Sequence, residues 1–291
     1  MAKTGVADES YAAKIRATKI FRTIICVFLC IISVLPFLMM IINATQDSAT
    51  ISKGLNSIPG TNFVNNWKGL MKVSKSLPVS VWTAMLHSAE ITVPATILQV
   101  YFATFTAYGL TTYNFKLKNI AWSFIMAIMM IPAQVSIIGL MQFMIKINLY
   151  NTYWPLIIPA MAAPSTVYFM KQYMQGALSL EIIEAARIDG SGEFRTFNTV
   201  VLPLMKPAMA TQAIFAFIAS WNNLYTPQML LSDTTKATLP MFISMLTAEQ
   251  FKQDFGVIYL SLSLTVVPLL VVYFLLSKYI IAGVALGGVK E

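Results

Sequence analysis

The residues of this chain that can act through charge gather in one stretch, and what they suit is docking, not bond making. Residues 181–207 read EIIEAARIDGSGEFRTFNTVVLPLMKP, polar and charged between long apolar runs. Glu184 there sits beside Ala185 and Ala186, so one exposed acid adjoins side chains too small to keep a partner surface away. Arg187 and Ile188 lie one helical turn further along and flank it. The run Gly190-Ser191-Gly192 invites a phosphate-cradle reading, but no G-x-x-x-x-G-K-[ST] follows and no strand precedes it. His87 is the single histidine, so a His-based triad or metal site is not available within the chain. Cys26 and Cys30 are four apart in one apolar run; they share a helix face, cannot form a good disulfide within a regular helix, and read as packing residues. Glu90 is the one carboxylate well inside an apolar run, and the cost of desolvating it makes it a functional candidate. His87 lies three residues before it, and a local contact between the two at a wet rim is the plainer reading.

The charged stretch carries its own instructions for shape. Ser179 can cap a helix by accepting a backbone N–H bond, which puts Glu181 near the positive end of the helix dipole. Helix formers continue to Ile188, and Asp189-Gly190 stops them, with glycine free to take a left-handed conformation. Ser191 can cap a second short helix through Phe194, Phe197 and Val201. Pro203 and Pro207 then redirect the chain into the next apolar run.

The elements that must hold this loop are membrane helices. Charged residues are 11% and hydrophobic residues 57%, against roughly 25% and 45–50% in soluble domains. A soluble core of this size could not hide so much apolar surface. Six runs are long enough to cross a bilayer, near 20–43, 84–110, 119–145, 152–174, 205–230 and 257–281. Pro36, Pro94, Pro132, Pro159 and Pro268 fall inside them, breaks that membrane helices tolerate when neighbours satisfy the freed carbonyls. The first run lacks a small-residue exit site and reads as a retained span, with residues 1–13 a frayed tail before it. With the N-terminus inside, thirteen of the 20 Lys and Arg residues fall on the inner side and seven on the outer. That places both termini and residues 181–207 in the cytoplasm. The net charge of +8 is spread over many short loops without a dense patch, which argues for membrane orientation and against nucleic-acid binding. Outside lie two longer loops, 44–83 and 231–256, the second carrying Asp233, Lys236, Glu249, Lys252 and Asp254.

The stretch resembles the EAA loop of importer permeases in the ATP-binding-cassette (ABC) class. Glu184, Ala185, Ala186, Asp189, Gly190, Phe197, Val201, Leu202 and Pro203 occupy that family's pattern with its spacing. The resemblance extends from about residue 84 to the C-terminus and is similar to the permeases of maltose and multiple-sugar importers. Ser220-Trp221-Asn222, then Leu231-Ser232-Asp233 with Thr238-Leu239-Pro240, and a glycine-rich ending over 282–290 carry it. Asn223 stands where an acid is common, and Ser179 where a proline often precedes the helix.

The resemblance implies an all-α, polytopic protein with an ABC type-1 transmembrane core and a cytoplasmic coupling helix. It implies residues 1–83 as tail, first span and outer loop, 84–282 as the transmembrane domain with its EAA loop at 179–207, and 283–291 as a cytoplasmic tail. It further implies a bacterial or archaeal inner-membrane permease, the shorter six-span partner of an unlike second permease. Two ABC ATPase subunits and an extracytoplasmic solute-binding protein would complete the importer. ATP and Mg would belong to the ATPase, and this chain would bind no cofactor and catalyse nothing. Tyr168, Tyr173, Trp221, Asn222, Asn223 and Tyr225 suit a carbohydrate path, since aromatic faces stack on sugar rings and amides bond hydroxyls. Interfacial anchoring and helix-to-helix contact explain the same residue types. A permease of this class for a non-sugar solute remains open. An ion-coupled secondary transporter would want buried acids at the midplane, and the spans offer none there.

Overall fold

The computed structural model describes residues 4–248 and 254–287. Glu249 and Lys252 of the loop expected outside lie beyond the described residues, as do the side chains of the glycine-rich ending. The described residues contain helices and no strand. In order they are α1 (Thr4–Asn43), α2 (Ser48–Ile51), α3 (Phe63–Ser76), α4 (Val81–Thr112), α5 (Lys118–Met129), α6 (Ala133–Lys146), α7 (Trp154–Ile157), α8 (Pro164–Ala177), α9 (Leu180–Ile188), α10 (Glu193–Thr196), α11 (Leu202–Trp221), α12 (Tyr225–Leu230), α13 (Leu239–Ala248) and α14 (Phe255–Gly287). The expected tail before the first span is helical from Thr4 onward, as the good helix formers between Ala7 and Lys19 allow.

Four helical stretches are long and apolar enough to cross a membrane: Ile15–Asn43, Val81–Thr112, Glu193–Trp221 and Phe255–Ile280. Lys118–Met129 and Gln134–Lys146 are long and apolar enough only when taken together as one broken span, and they are bent by 103° at the break before α6. Pro132 sits at that break as the residue capping α6. The run expected at 152–174 arrives in pieces, as α7, a 3₁₀ turn at Ile158–Met161, and α8. Pro155, Pro159 and Pro164 each remove a backbone donor, which accounts for the breaks. Pro36, Pro94 and Pro268 lie inside unbroken helices.

The chain divides into two compact units. One comprises residues 1–70 with 250–263. Its α1 is exposed along its apolar length, from Ile20 to Ile41. The connection after α1 is pinned by Asn66, whose amide nitrogen donates to the carbonyls of Ala44 and Gln46, both at 2.8 Å. Gly256 lies against that amide so closely that a Cβ there would fall 2.5 Å from it. Ser48 donates to Asp254 at 2.9 Å and accepts the Phe255 N–H at 3.0 Å, which fixes the start of α14.

The other unit, residues 71–249 with 264–291, is built around α4. Ala84, Ala95, Ala103 and Ala107 are buried along it, small side chains that let neighbouring backbones come close. Its partners are α8 and α11. Gln99 donates to Thr166 of α8 at 2.8 Å, and Ser220 of α11 donates to Thr92 at 3.1 Å. One core cluster joins Val100, Ala103 and Ala107 of α4 to Met170 and Met174 of α8 and Met205 of α11. Ile183, Phe197 and Val201 of the charged loop enter the same cluster.

Candidate functional site

The loop between α8 and α11 is almost entirely helical. Ser179 caps α9 as its position predicts, its hydroxyl accepting the Glu181 N–H at 3.3 Å. At the other end Gly190 takes φ = +78°. Its N–H reaches the Arg187 carbonyl at 3.0 Å, and the Ser191 N–H reaches that of Ala186 at 2.9 Å. These two bonds form a Schellman ending, which satisfies carbonyls that the last turn would leave open.

Burial sorts the faces of α9. Ile183 points into the core with no exposed surface, while Glu184 and Ala185 face outward. Ile188 is 86% exposed, and Leu180, Ile182 and Phe194 are exposed as well. The outer face therefore combines an acid, a small residue and uncovered apolar side chains on a rigid helix. Such a surface has what a protein partner needs: apolar area to bury and a charge to fix register.

The second half of the loop departs from expectation. Gly192 occupies the cap position of α10, and the Ser191 hydroxyl instead accepts from Thr196 at 2.9 Å. The helix then runs on through a π-helical segment, Phe197–Val201, directly into α11. Pro203 and Pro207 sit within this continuous helix and do not break it. Pro203 has no N–H to donate, and the wider π turn re-pairs the backbone there, with the Leu202 N–H reaching the Phe197 carbonyl. Asn198 and Thr199 donate side-chain bonds to the carbonyls of Phe194 and Arg195, both at 2.8 Å.

Phe197 is fully buried against α4. Its ring meets Phe105 at 5.0 Å, and Tyr101 and Tyr108 at 5.6 Å each. One turn earlier, the Glu193 carboxylate accepts three hydrogen bonds. Tyr108 donates from 3.1 Å, Tyr113 donates to the same oxygen, and Arg187 Nε donates to the other oxygen at 2.8 Å. The Arg187 guanidinium also lies 5.4 Å from the centre of the Tyr113 ring. Burial, and then the bond to Glu193, raise the Tyr113 hydroxyl above its ordinary pKa. Glu193, Tyr108 and Tyr113 were not singled out by sequence pattern, because the acid and the tyrosines lie 85 and 80 residues apart.

The polar and aromatic residues of the later spans fall into different settings. Trp221 is 2% exposed, stacked on Phe217 at 5.6 Å, and its indole N–H donates to the Thr265 carbonyl at 3.1 Å. Asn222 ends α11 and is exposed; Asn223 accepts the Thr226 N–H at 3.0 Å, and Tyr225 is exposed at the start of α12. Tyr168 stacks on Trp122 at 5.9 Å, and the Lys171 ammonium lies 4.3 Å over the same indole. Glu90 is exposed on α4. The His87 ring bonds the Ala237 carbonyl at 3.2 Å and packs on Tyr153, contacts that the expected pairing with Glu90 did not foresee. Asn151 ties down the segment after α12: its side-chain oxygen accepts the N–H groups of Ser232 and Asp233, and its carbonyl accepts from Lys236 at 2.8 Å.

Residues 99–285 match the family described as binding-protein-dependent transport system inner membrane component, and that span runs from α4 through the helical loop into α14. The chain belongs to this family. It is thus a multi-pass membrane protein and the permease subunit of a binding-protein-dependent importer. The arabinooligosaccharides transport system permease protein AraQ of Halalkalibacterium halodurans is 32% identical over 90% of this chain and 93% of its own length. The sn-glycerol-3-phosphate transport system permease protein UgpE of Yersinia pestis is 26% identical over 92% and 96%. Among solved structures, a bacterial ABC transporter involved in the import of the acidic polysaccharide alginate has a chain that superposes with a TM-score of 0.74. The superposition covers 91% of this chain and 96% of that one at 19% identity, a likeness of fold.

Proposed function

We propose that this permease serves a sugar or oligosaccharide importer and is driven by a separate ABC ATPase that docks on α9. The observation that carries the docking role is the outer face of α9, where Glu184, Ala185 and Ile188 are exposed on a helix whose opposite side is locked into the core by Ile183. Asp189 and Gly190 end that helix, and Phe197, Leu202 and Pro203 lie on the next one, which runs from Glu193 into α11. ATP and Mg stay on the ATPase; closure of an ATPase pair moves α9, and this chain contributes no hydrolytic group. A second, unlike permease supplies the other half of the path, and a solute-binding protein delivers cargo from outside. The surplus of Lys and Arg on the inner side supports cytoplasmic termini and a cytoplasmic α9.

The sugar reading rests on the relative named for arabinooligosaccharides transport, and the exposed Asn222 and Tyr225 are suited to line the path. Trp221 serves as the joint that holds α11 to Thr265. The relative named for sn-glycerol-3-phosphate favours a second reading, a phosphorylated small solute. Uptake of radiolabelled arabino-oligosaccharides, disaccharides and glycerol-3-phosphate in a strain lacking this chain, with and without its restoration, separates the two. Loss and recovery of sugar uptake is the expected result. Loss of glycerol-3-phosphate uptake alone would transfer the assignment to the second reading.

A further inference from the structure

We infer that Glu193 is a positioning residue that fastens α9 to the end of α4, so that motion of the docking helix reaches two membrane helices and not one. The inference rests on the docking role proposed for α9. The first route from α9 is covalent and leads through the continuous helix into α11. The second is the Glu193 carboxylate, whose three donors come from two other elements: Arg187 from α9, and Tyr108 with Tyr113 from the end of α4.

The three bonds differ in weight. Arg187 and Glu193 are 38% and 47% exposed, and an ion pair that open to water contributes little by itself. Tyr108 is 2% exposed, so removal of its acceptor leaves a buried hydroxyl unsatisfied. Tyr113 closes α4, its own N–H held by the Gly109 carbonyl, so its bond to Glu193 acts on the helix end. Phe197 supplies the contact area between loop and α4, but a ring seated among rings can slide. The carboxylate sets the direction and the register of that contact.

The test uses the assembled importer with Cys26 and Cys30 replaced by serine and spin labels at the exposed Glu181, away from the docking residues of α9, and at the exposed Phe115. In the parent complex the distance between the labels should be narrow and should hold its width when ATP is added. In Glu193→Ala the distribution should broaden, the ATPase subunits should stay bound, and solute taken up per ATP hydrolysed should fall roughly tenfold, a typical size for coupling between sites. The solute is whichever member of the uptake panel the parent complex carries. Glu193→Gln keeps an acceptor for the tyrosine hydroxyls and should recover most of the ratio. A residue that only supported folding would lose assembly and hydrolysis together and leave the ratio unchanged. Tyr108→Phe and Tyr113→Phe each remove one donor and should lower the ratio in the same direction, and they carry the test if Glu193→Ala fails to assemble. An unchanged ratio and unchanged width in these variants would overturn the fastening role. Glu184→Lys made in parallel distinguishes the two layers: if it keeps both ATPase and transport, the docking role of α9 falls, whereas an impaired Glu184→Lys beside a normal Glu193→Ala removes the fastening role only.

Discussion

Glu184 is the residue whose chemistry is simplest to reverse. It projects from a helix whose other side is anchored by a fully buried Ile183, so a change at its tip leaves the packing of α9 untouched. Under the proposed docking, Glu184→Lys sets a like charge against the site that receives an acid, which at an interface costs several kcal/mol. The expected outcome is normal insertion with lost ATPase retention and lost uptake, read by co-purification and by transport in the same preparation. Wild-type values for both would remove Glu184 from the interface. At this scale the sequence was informative where chemistry is local. Glu184, Ala185 and Gly190 read correctly as exposed acid, small neighbour and helix stop. It was blind where chemistry is made by distant partners: nothing around Glu193 points to Tyr108 and Tyr113, and nothing around Trp221 shows that its N–H is already spent on Thr265.

At the scale of elements, apolar length and proline placement divide what was legible from what was not. Long apolar runs gave α1, α4, α11 and α14, because a run of that length has few alternatives in a bilayer. The stretch 152–174 has the length but also three prolines, and the missing donors break it into short pieces. Pro203 and Pro207 mislead in the opposite sense, since the π segment absorbs the lost bond and the helix continues. The stop of α9 is the element most exposed to a single change. A Cβ at Gly190 would meet nothing within 4 Å, so the penalty of Gly190→Ala is purely that of its left-handed backbone, about 1–2 kcal/mol. That cost should appear as a lower melting temperature of the solubilised permease and as weaker ATPase retention. Gly190→Asn should lie closer to the parent, because asparagine tolerates this conformation better than alanine. Equal behaviour of the two variants would mean that the turn is not held in the left-handed form in the working complex.

At the scale of the whole molecule, the proposal is that α9, α10 and the π segment act as one lever. Capping at Ser179, the Schellman ending at Gly190 and the unbroken helix from Glu193 to Trp221 leave few soft joints along it. A stiff connector suits a protein that must carry a change made outside the membrane core into it. To take a two-state equilibrium from 1:99 to 99:1 requires about 5.5 kcal/mol of differential binding. Closure of an ATPase pair around ATP is able to provide that, while contacts from a few amides and aromatic rings to a sugar are individually small. ATP should therefore move the lever more than solute does. Spin labels at Ser191 and at the corresponding residue of the second permease, in an importer with a hydrolysis-deficient ATPase, read the movement directly. The distance distribution should shift on addition of ATP and shift less with sugar alone. A distribution indifferent to ATP, in complexes whose hydrolysis-competent form transports, would rule out the lever while leaving the family membership intact.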